Sequence, residues 1–277
     1  MRLTTVGCSG SMSGPASPAS TYLVQAADDA GRTWSVVLDL GPGGLGRLME
    51  HVDPRAVDAL FFSHLHPDHM ADVTSLQVFL RYHPEGESGP LLTWGPEQTA
   101  ERISAACWID DWDELAGQFD VRRHESGRPV TVGPLTIVPT RVRHPVPAFA
   151  LRIEGPSETP GQAATLTYTG DTDSCPEVAQ AADGVDLLLC EASFQEGRED
   201  MIRGIHLTGR RAGELAAAAA GPEWDAQGPQ ASPRRPVGRL VLTHLPPWTD
   251  PEVVAGEARA VYPGPVEIAT SGTVWLL

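Results

Sequence analysis

The chain has 277 residues, 41% of them hydrophobic, enough apolar content for one large core or two small ones. Lys and Arg number 20 against 36 Asp and Glu, a formal charge of −16, so the surface has no general attraction for nucleic acid or anionic membranes and any anionic ligand must be held locally. Cys8, Cys107, Cys175 and Cys190 form no CxxC pair, and no window approaches the ~20 apolar residues of a membrane span; a single reduced, cytoplasmic α/β domain is expected.

Residues 2–6 read as a first strand, followed by a loop rich in Ser, Gly and Pro up to Ser20. Its small residues let the backbone approach a phosphate, with Ser9 and Ser11 as candidate contacts, but the order of a P-loop is absent and a plain turn between strands fits equally. Strands over 22–26 and 34–39 come next, the second closing on Asp39-Leu40-Gly41-Pro42-Gly43, and then a short helix over 46–51. The apolar run 57–62 reads as a buried strand and breaks into Ser63-His64-Leu65-His66-Pro67-Asp68-His69. On an extended segment the rings of His64 and His66 project to the same side and can hold one metal ion. Pro67 is expected to bar a helix and turn the chain, so that Asp68 and His69 face a second, neighbouring position.

Apolar spacing predicts a helix over 73–82, then a strand at 91–94 and a helix over 97–107. Trp108 to Asp113 form an acidic aromatic patch whose two tryptophans are expected to pack in the core, base stacking being the alternative. From 119 to 153 the pattern is strand-rich, and His144 falls just past a strand end. An alternating run from Thr165 ends on Asp171, and the strand 185–190 leads to Glu191-Ala192-Ser193. His206 and Thr208 open an alanine-rich helix, whose N-terminal N–H groups favour an anion. Residues 221–238, rich in Pro, Gly and Gln, read as a mobile surface insertion. A strand over 239–243 then ends on His244, and a helix over 251–261 and strands at 266–269 and 273–277 close the chain.

The loop carrying His64, His66, Asp68 and His69 resembles the signature loop of the metallo-β-lactamase superfamily, and the Asp39 turn resembles a second motif of that group. The resemblance implies a four-layer αββα sandwich in one domain, with Asp39 orienting the His loop. Carried over residue by residue, it implies one metal site from His64, His66, His144 and Asp171, and another from Asp68, His69, His244 and the shared Asp171. Imidazole and carboxylate donors without thiolate favour two Zn2+ ions, with Mn2+ or Fe2+ as alternatives. Two cations ~3.5–4 Å apart lower the pKa of water from 15.7 to ~7 and generate a nucleophile at neutral pH. His206, outside both ligand sets, is the candidate general acid, and Asp68 a candidate to orient the nucleophile.

More narrowly, Tyr168-Thr169-Gly170-Asp171-Thr172, Leu189-Cys190-Glu191-Ala192-Ser193, His206-Leu207-Thr208 and Leu242-Thr243-His244-Leu245-Pro246 are similar to the ribonuclease Z and actinobacterial cyclic-nucleotide phosphodiesterase branch. Ribonuclease Z has a long basic arm between its third His and bridging Asp; here only 26 residues, not basic, separate His144 from Asp171. The expected reaction is therefore hydrolysis of 3′,5′-cyclic AMP or a close relative to the 5′-monophosphate, with Ser9, Ser11 and Thr208 as candidate substrate contacts. A tRNA 3′-processing endonuclease, a lactone or thioester hydrolase and a mono-iron dioxygenase remain rivals. The expected partner is a small anionic nucleotide, not nucleic acid or membrane, and a homodimer is left open.

Overall fold

Three separate apolar clusters, rather than one, divide the chain into layers. A computed structural model describes residues 1–199, 201–221, 223–225 and 234–277; the central part of the expected 221–238 insertion lies outside the described residues. The first sheet contains β1 (Arg2–Gly7), β2 (Thr21–Ala27), β3 (Thr33–Leu38), β4 (Ala59–Phe61), β5 (Leu91–Gly95) and β6 (Phe119–Arg123). The second contains β7 (Val130–Val132), β8 (Leu135–Val142), β9 (Ala148–Pro156), β10 (Ala163–Tyr168), β11 (Leu187–Glu191), β12 (Leu240–Thr243) and β13 (Val266–Ile268). The last strand, β14 (Val274–Leu276), returns to the first sheet and pairs antiparallel with β1.

The orders are β14-β1-β2-β3-β4-β5-β6 and β13-β12-β11-β10-β9-β8-β7. Each sheet is antiparallel at one end and parallel at the other, from β3 to β6 and from β10 to β13. The central parallel strands β4, β11 and β12 are buried on both faces, which is why they read as unbroken apolar runs. In β11, for example, Leu187 and Leu189 point to the inter-sheet core while Leu188 and Cys190 pack outward.

The inter-sheet cluster includes Tyr22, Val36, Leu38 and Phe61 from one sheet and Ile137, Leu151, Tyr168 and Leu189 from the other. The outer face of the first sheet is covered by α1 (Gly44–Leu48), α2 (Pro67–Met70), α3 (Val73–Tyr82) and α4 (Thr99–Cys107), through Leu45, Leu48, Met70, Leu76, Leu80 and Ile103. The second sheet is covered by α5 (Pro176–Ala181), α6 (Gly209–Ala216) and α7 (Pro251–Arg259), through Val178, Leu215, Val254 and Ala258. This is the four-layer αββα sandwich expected from the sequence. Among the described residues no helix is long and apolar enough to cross a membrane.

Two local expectations are corrected. Pro67 does not bar a helix; it opens one, occupying the first helical position of α2 after His66, where its missing N–H costs nothing. The tryptophans of 108–113 do not both enter the core: Trp112 packs partly against the outer cluster, but Trp108 is 94% exposed because the C-cap of α4 holds it at φ 57°, outside the helix.

Candidate metal centre

The metal ligands predicted from sequence gather where strands end. β3 delivers Asp39, β4 delivers Ser63 and the His64–His69 loop, and β8, β10, β11 and β12 deliver His144, Asp171, Glu191 and His244. Ligands of open α/β sheets sit outside the carboxyl ends of strands for the same reason: helix connections leave a crevice there. His64 Nε2 lies 3.0 Å from His66 Nδ1, which lies 3.2 Å from His144 Nε2; His64 Nε2 is 3.6 Å from Asp171 Oδ2. On the other side His69 Nε2 lies 3.2 Å from Asp171 Oδ1 and 3.6 Å from Asp68 Oδ2, and His244 Nε2 lies 3.3 Å from Asp171 Oδ2 and 3.7 Å from Asp68 Oδ2.

The donor atoms of His64, His66, His144 and Asp171, and those of Asp68, His69, Asp171 and His244, lie within 4.8 Å of one another in each group. Asp171 belongs to both.

The outward nitrogens of the rings fix which edge faces inward. The Nδ1–H of His69 donates to Asp39 Oδ2 at 2.7 Å and that of His144 to the Ile205 carbonyl at 2.9 Å, while His244 Nδ1 is hydrogen-bonded to Ser20 Oγ at 2.9 Å. Ser63 Oγ donates to Asp39 Oδ2 and so receives the Nδ1–H of His64 at 3.1 Å. Each of these four rings therefore turns its Nε2 toward the cluster, the orientation in which imidazole ligates a metal.

The donor set passes a direct test of fit. His69 Nε2, Asp171 Oδ1 and His244 Nε2 are buried without an aligned hydrogen-bond partner. Buried polar atoms are rarely left so unless something else satisfies them. Tetrahedral ligation at 2.0–2.1 Å implies ligand–ligand edges of about 3.3 Å, the scale of the separations here.

Asp39 is the bracket of the loop. Wholly buried, it accepts from the Ser63 N–H (2.6 Å), the Ser63 hydroxyl (2.7 Å), His69 (2.7 Å) and the Tyr168 hydroxyl (2.7 Å). Both Asp39 and His244 sit at φ 56°, a left-handed conformation that residues with a side chain rarely adopt and that over-determined surroundings sustain. Gly41 is required by closeness: a Cβ there would lie 2.1 Å from the Asp68 carbonyl oxygen.

Burial pushes the His64 imidazole well below its usual range and His244 down to about 4, despite the nearby Asp171 carboxylate. Burial also disfavours charge on His69, but Asp171 and Asp39 overcome it and hold that ring well above the usual value. Asp171 is held low because the surrounding imidazoles outweigh its burial.

His206 stands apart from both groups. Its Nδ1–H donates to Glu191 Oε1 at 2.9 Å and lies 3.9 Å from Asp171 Oδ2. Burial opposes its charge, yet the Glu191 and Asp171 carboxylates raise it to about 9. Glu191, itself wholly buried, is locked by the Thr172 N–H at 2.9 Å and the Ser193 N–H at 3.2 Å. The segment bearing His206 is pinned by buried Asp173, which accepts from Arg203 Nε (2.8 Å) and the Gly204 N–H (2.7 Å). The sequence reading assigned no role to Glu191, Asp173, Ser20 or Tyr168; an acid closing the apolar strand β11, as Asp171 follows β10, was the available signal for Glu191.

The candidate substrate contacts are less centred. Thr208 caps α6, its hydroxyl accepting from the Arg211 N–H and donating to Glu196. Ser9 is buried and bridges to Leu245 beside His244, while Ser11 is exposed at φ 62°.

An αββα sandwich with two imidazole-carboxylate clusters at one rim defines a class of metal-binding hydrolase fold, and the comparisons agree. The model described as "Beta-lactamase superfamily domain" matches residues 35–244, and the chain belongs to that superfamily. It is 43% identical over 274 residues to protein ML1173 of Mycobacterium leprae, covering 98% of this chain and 87% of that one. The crystal structure of the metallo-beta-lactamase fold protein YhfI from Bacillus subtilis superposes with a TM-score of 0.78 at 28% identity, covering 99% of this chain and 98% of YhfI. Ribonuclease Z of Myxococcus xanthus is 25% identical over 285 residues, 86% of each chain.

Proposed function

We propose that the chain is a metal-dependent hydrolase of small phosphodiesters that uses two divalent cations, Zn2+ first, and that its substrate is 3′,5′-cyclic AMP or a related cyclic nucleotide, opened to the 5′-monophosphate. His64, His66, His144 and Asp171 would hold one ion, and Asp68, His69, His244 and Asp171 the other. Such a pair supplies a nucleophile from water at neutral pH and neutralises charge on the phosphoryl oxygens.

The observation that carries the reading is the His206–Glu191 pair. An ester oxygen leaving phosphorus as an alkoxide needs a proton, and general acids contribute typically 10²–10⁴-fold. His206 is held above the usual imidazole range by Glu191 and Asp171, is oriented by a fixed carboxylate, and faces the shared Asp171 without belonging to either four-donor group. As water adds to phosphorus, the bond from phosphorus to the 3′ oxygen breaks and that oxygen takes the His206 proton. Likeness to ribonuclease Z supports phosphodiester chemistry, while the charge of −16 speaks for a small anion over tRNA.

The test is a turnover screen of metal-loaded protein against cyclic AMP, bis(p-nitrophenyl) phosphate, precursor tRNA and a lactone. Cyclic AMP and the aryl diester should react, and the nucleotide product should carry its phosphate at the 5′ position. Reaction with the lactone alone would overturn the proposal, as would steeply salt-dependent cleavage of precursor tRNA alone.

A further inference from the structure

Beside the centre lies a cavity of about 780 Å3 whose walls include Arg141, Arg143, Ser174, Arg203, Glu177 and Glu223. It shares three segments with the centre: Arg143 adjoins His144, Ser174 follows Asp171 by three positions, and Arg203 precedes His206 by three.

Its charges are unevenly committed. Arg203 is bound to buried Asp173 and to Glu223. Arg141 and Arg143 have no ion pair among the described residues; Arg141 lies 5.6 Å from the centre of the Phe149 ring. Ser174 is only 1% exposed, yet its hydroxyl has no hydrogen-bond partner among the described residues. Two uncommitted guanidiniums and an orphaned buried hydroxyl are a donor set without an acceptor, on a chain whose net charge is −16. Guanidinium forks match phosphate oxygens in geometry and charge, and a hydroxyl adds a third donor. Two carboxylates also line the cavity: Glu223, tied to Arg203, and exposed Glu177.

We propose that this cavity is an anion subsite for a phosphate other than the one under attack, so that, among small nucleotides, one bearing a second phosphate binds more tightly than one bearing a single phosphate. The proposal rests on the phosphodiesterase reading above and deepens it. The two probes are adenosine 5′-monophosphate and adenosine 3′,5′-bisphosphate, which differ by one phosphate, titrated calorimetrically into the metal-loaded protein.

Wild-type protein should bind the bisphosphate about tenfold or more tightly, a difference of about 1.4 kcal/mol. Arg141→Ala and Arg143→Ala should each erode that advantage and together bring it within about twofold; Ser174→Ala should remove part of it. Arg102→Ala, which deletes an exposed charge on α4, should leave the advantage intact. Should an alanine variant fail a thermal melt, Arg141→Lys/Arg143→Lys decides instead: it keeps the charge, loses the fork, and should retain only part of the preference. Equal affinities in wild type, or an Arg102→Ala loss as large as that of Arg143→Ala, would overturn the subsite. Turnover of bis(p-nitrophenyl) phosphate by wild type, scored alongside, tests the underlying reading by itself. Absent turnover with a retained bisphosphate advantage would discard the phosphodiesterase and keep the phosphate site.

Discussion

The two four-residue clusters share Asp171 but are built differently. In the first, His66 and His144 are only half-buried, and the outward contact of His144 is a backbone carbonyl. In the second, His69 and His244 are fully enclosed, and their outer nitrogens are held by the side chains of Asp39 and Ser20. An enclosed, braced donor set loses little freedom on binding and exchanges slowly, whereas an open one admits substrate and gives up its ion more readily. On the proposed two-ion reading, the second cluster retains its ion and the first gives access to substrate.

The largest effect should come from erasing the contrast. Asp171→Asn removes the carboxylate common to both groups, leaving two sets of buried imidazoles with less negative charge to offset a cation. Metal content by plasma mass spectrometry should fall in both sites, and kcat/KM for cyclic AMP should drop at least ~10³-fold, about 4 kcal/mol of transition-state stabilisation. In wild type, graded chelation should instead remove the ions in two steps, the first complete before the second begins. Chelation in one step, or stoichiometric metal in Asp171→Asn, would contradict the shared-carboxylate architecture.

His206→Ala tests the group outside both clusters. Turnover of cyclic AMP should fall ~10²–10³-fold while metal content is unchanged. Bis(p-nitrophenyl) phosphate, whose leaving phenolate needs no proton, should lose less than about tenfold, because the missing acid matters only to a basic leaving group. The pH sign follows from Glu191: its carboxylate raises His206 to about 9, so the acid is protonated below that pH and lost above it. Two bound cations work in the opposite direction, placing the alkaline limb below 9, and Glu191→Gln should move it lower still. A cyclic AMP profile unchanged by Glu191→Gln would remove His206 from the role.

What could be read in the chain follows the same division between local and distant contacts. His64, His66, Asp68 and His69 were legible because six consecutive positions after a buried strand contain the whole pattern, and His144, Asp171 and His244 because each closes a strand. The four layers were legible only through the resemblance carried by the His loop, the apolar runs marking no more than single strands. Ser20 was not, since its partner His244 is 224 residues away, and Tyr168 reaches Asp39 across 129. Such pairings depend on how two sheets face each other, which no local pattern encodes. Pro67 and Trp108 misled for the opposite reason: one residue's preference was weighed without the helix end that uses it.

Asp39→Asn sharpens the comparison, because Asp39 braces His69 directly and His64 only through Ser63. Outer partners of metal-ligating histidines are typically worth 10–100-fold in affinity or activity. The second cluster should therefore weaken by about that factor and the first by less, inverting or merging the two chelation steps. Equal weakening would mean that the loop acts as one rigid unit. Ser20→Ala is the finest probe, deleting one hydroxyl hydrogen-bonded to His244 while leaving Asp39, Ser63 and every proposed ligand in place. The ring keeps its burial and its left-handed backbone, so its position should persist while its tautomer is less firmly set. A neutral hydrogen bond contributes about 1 kcal/mol, so the second ion should be held ~5-fold more weakly, with the first unaffected. If metal titrations instead show both sites shifting together, retention in the enclosed cluster does not come from its outer hydrogen bonds but from Asp171 alone.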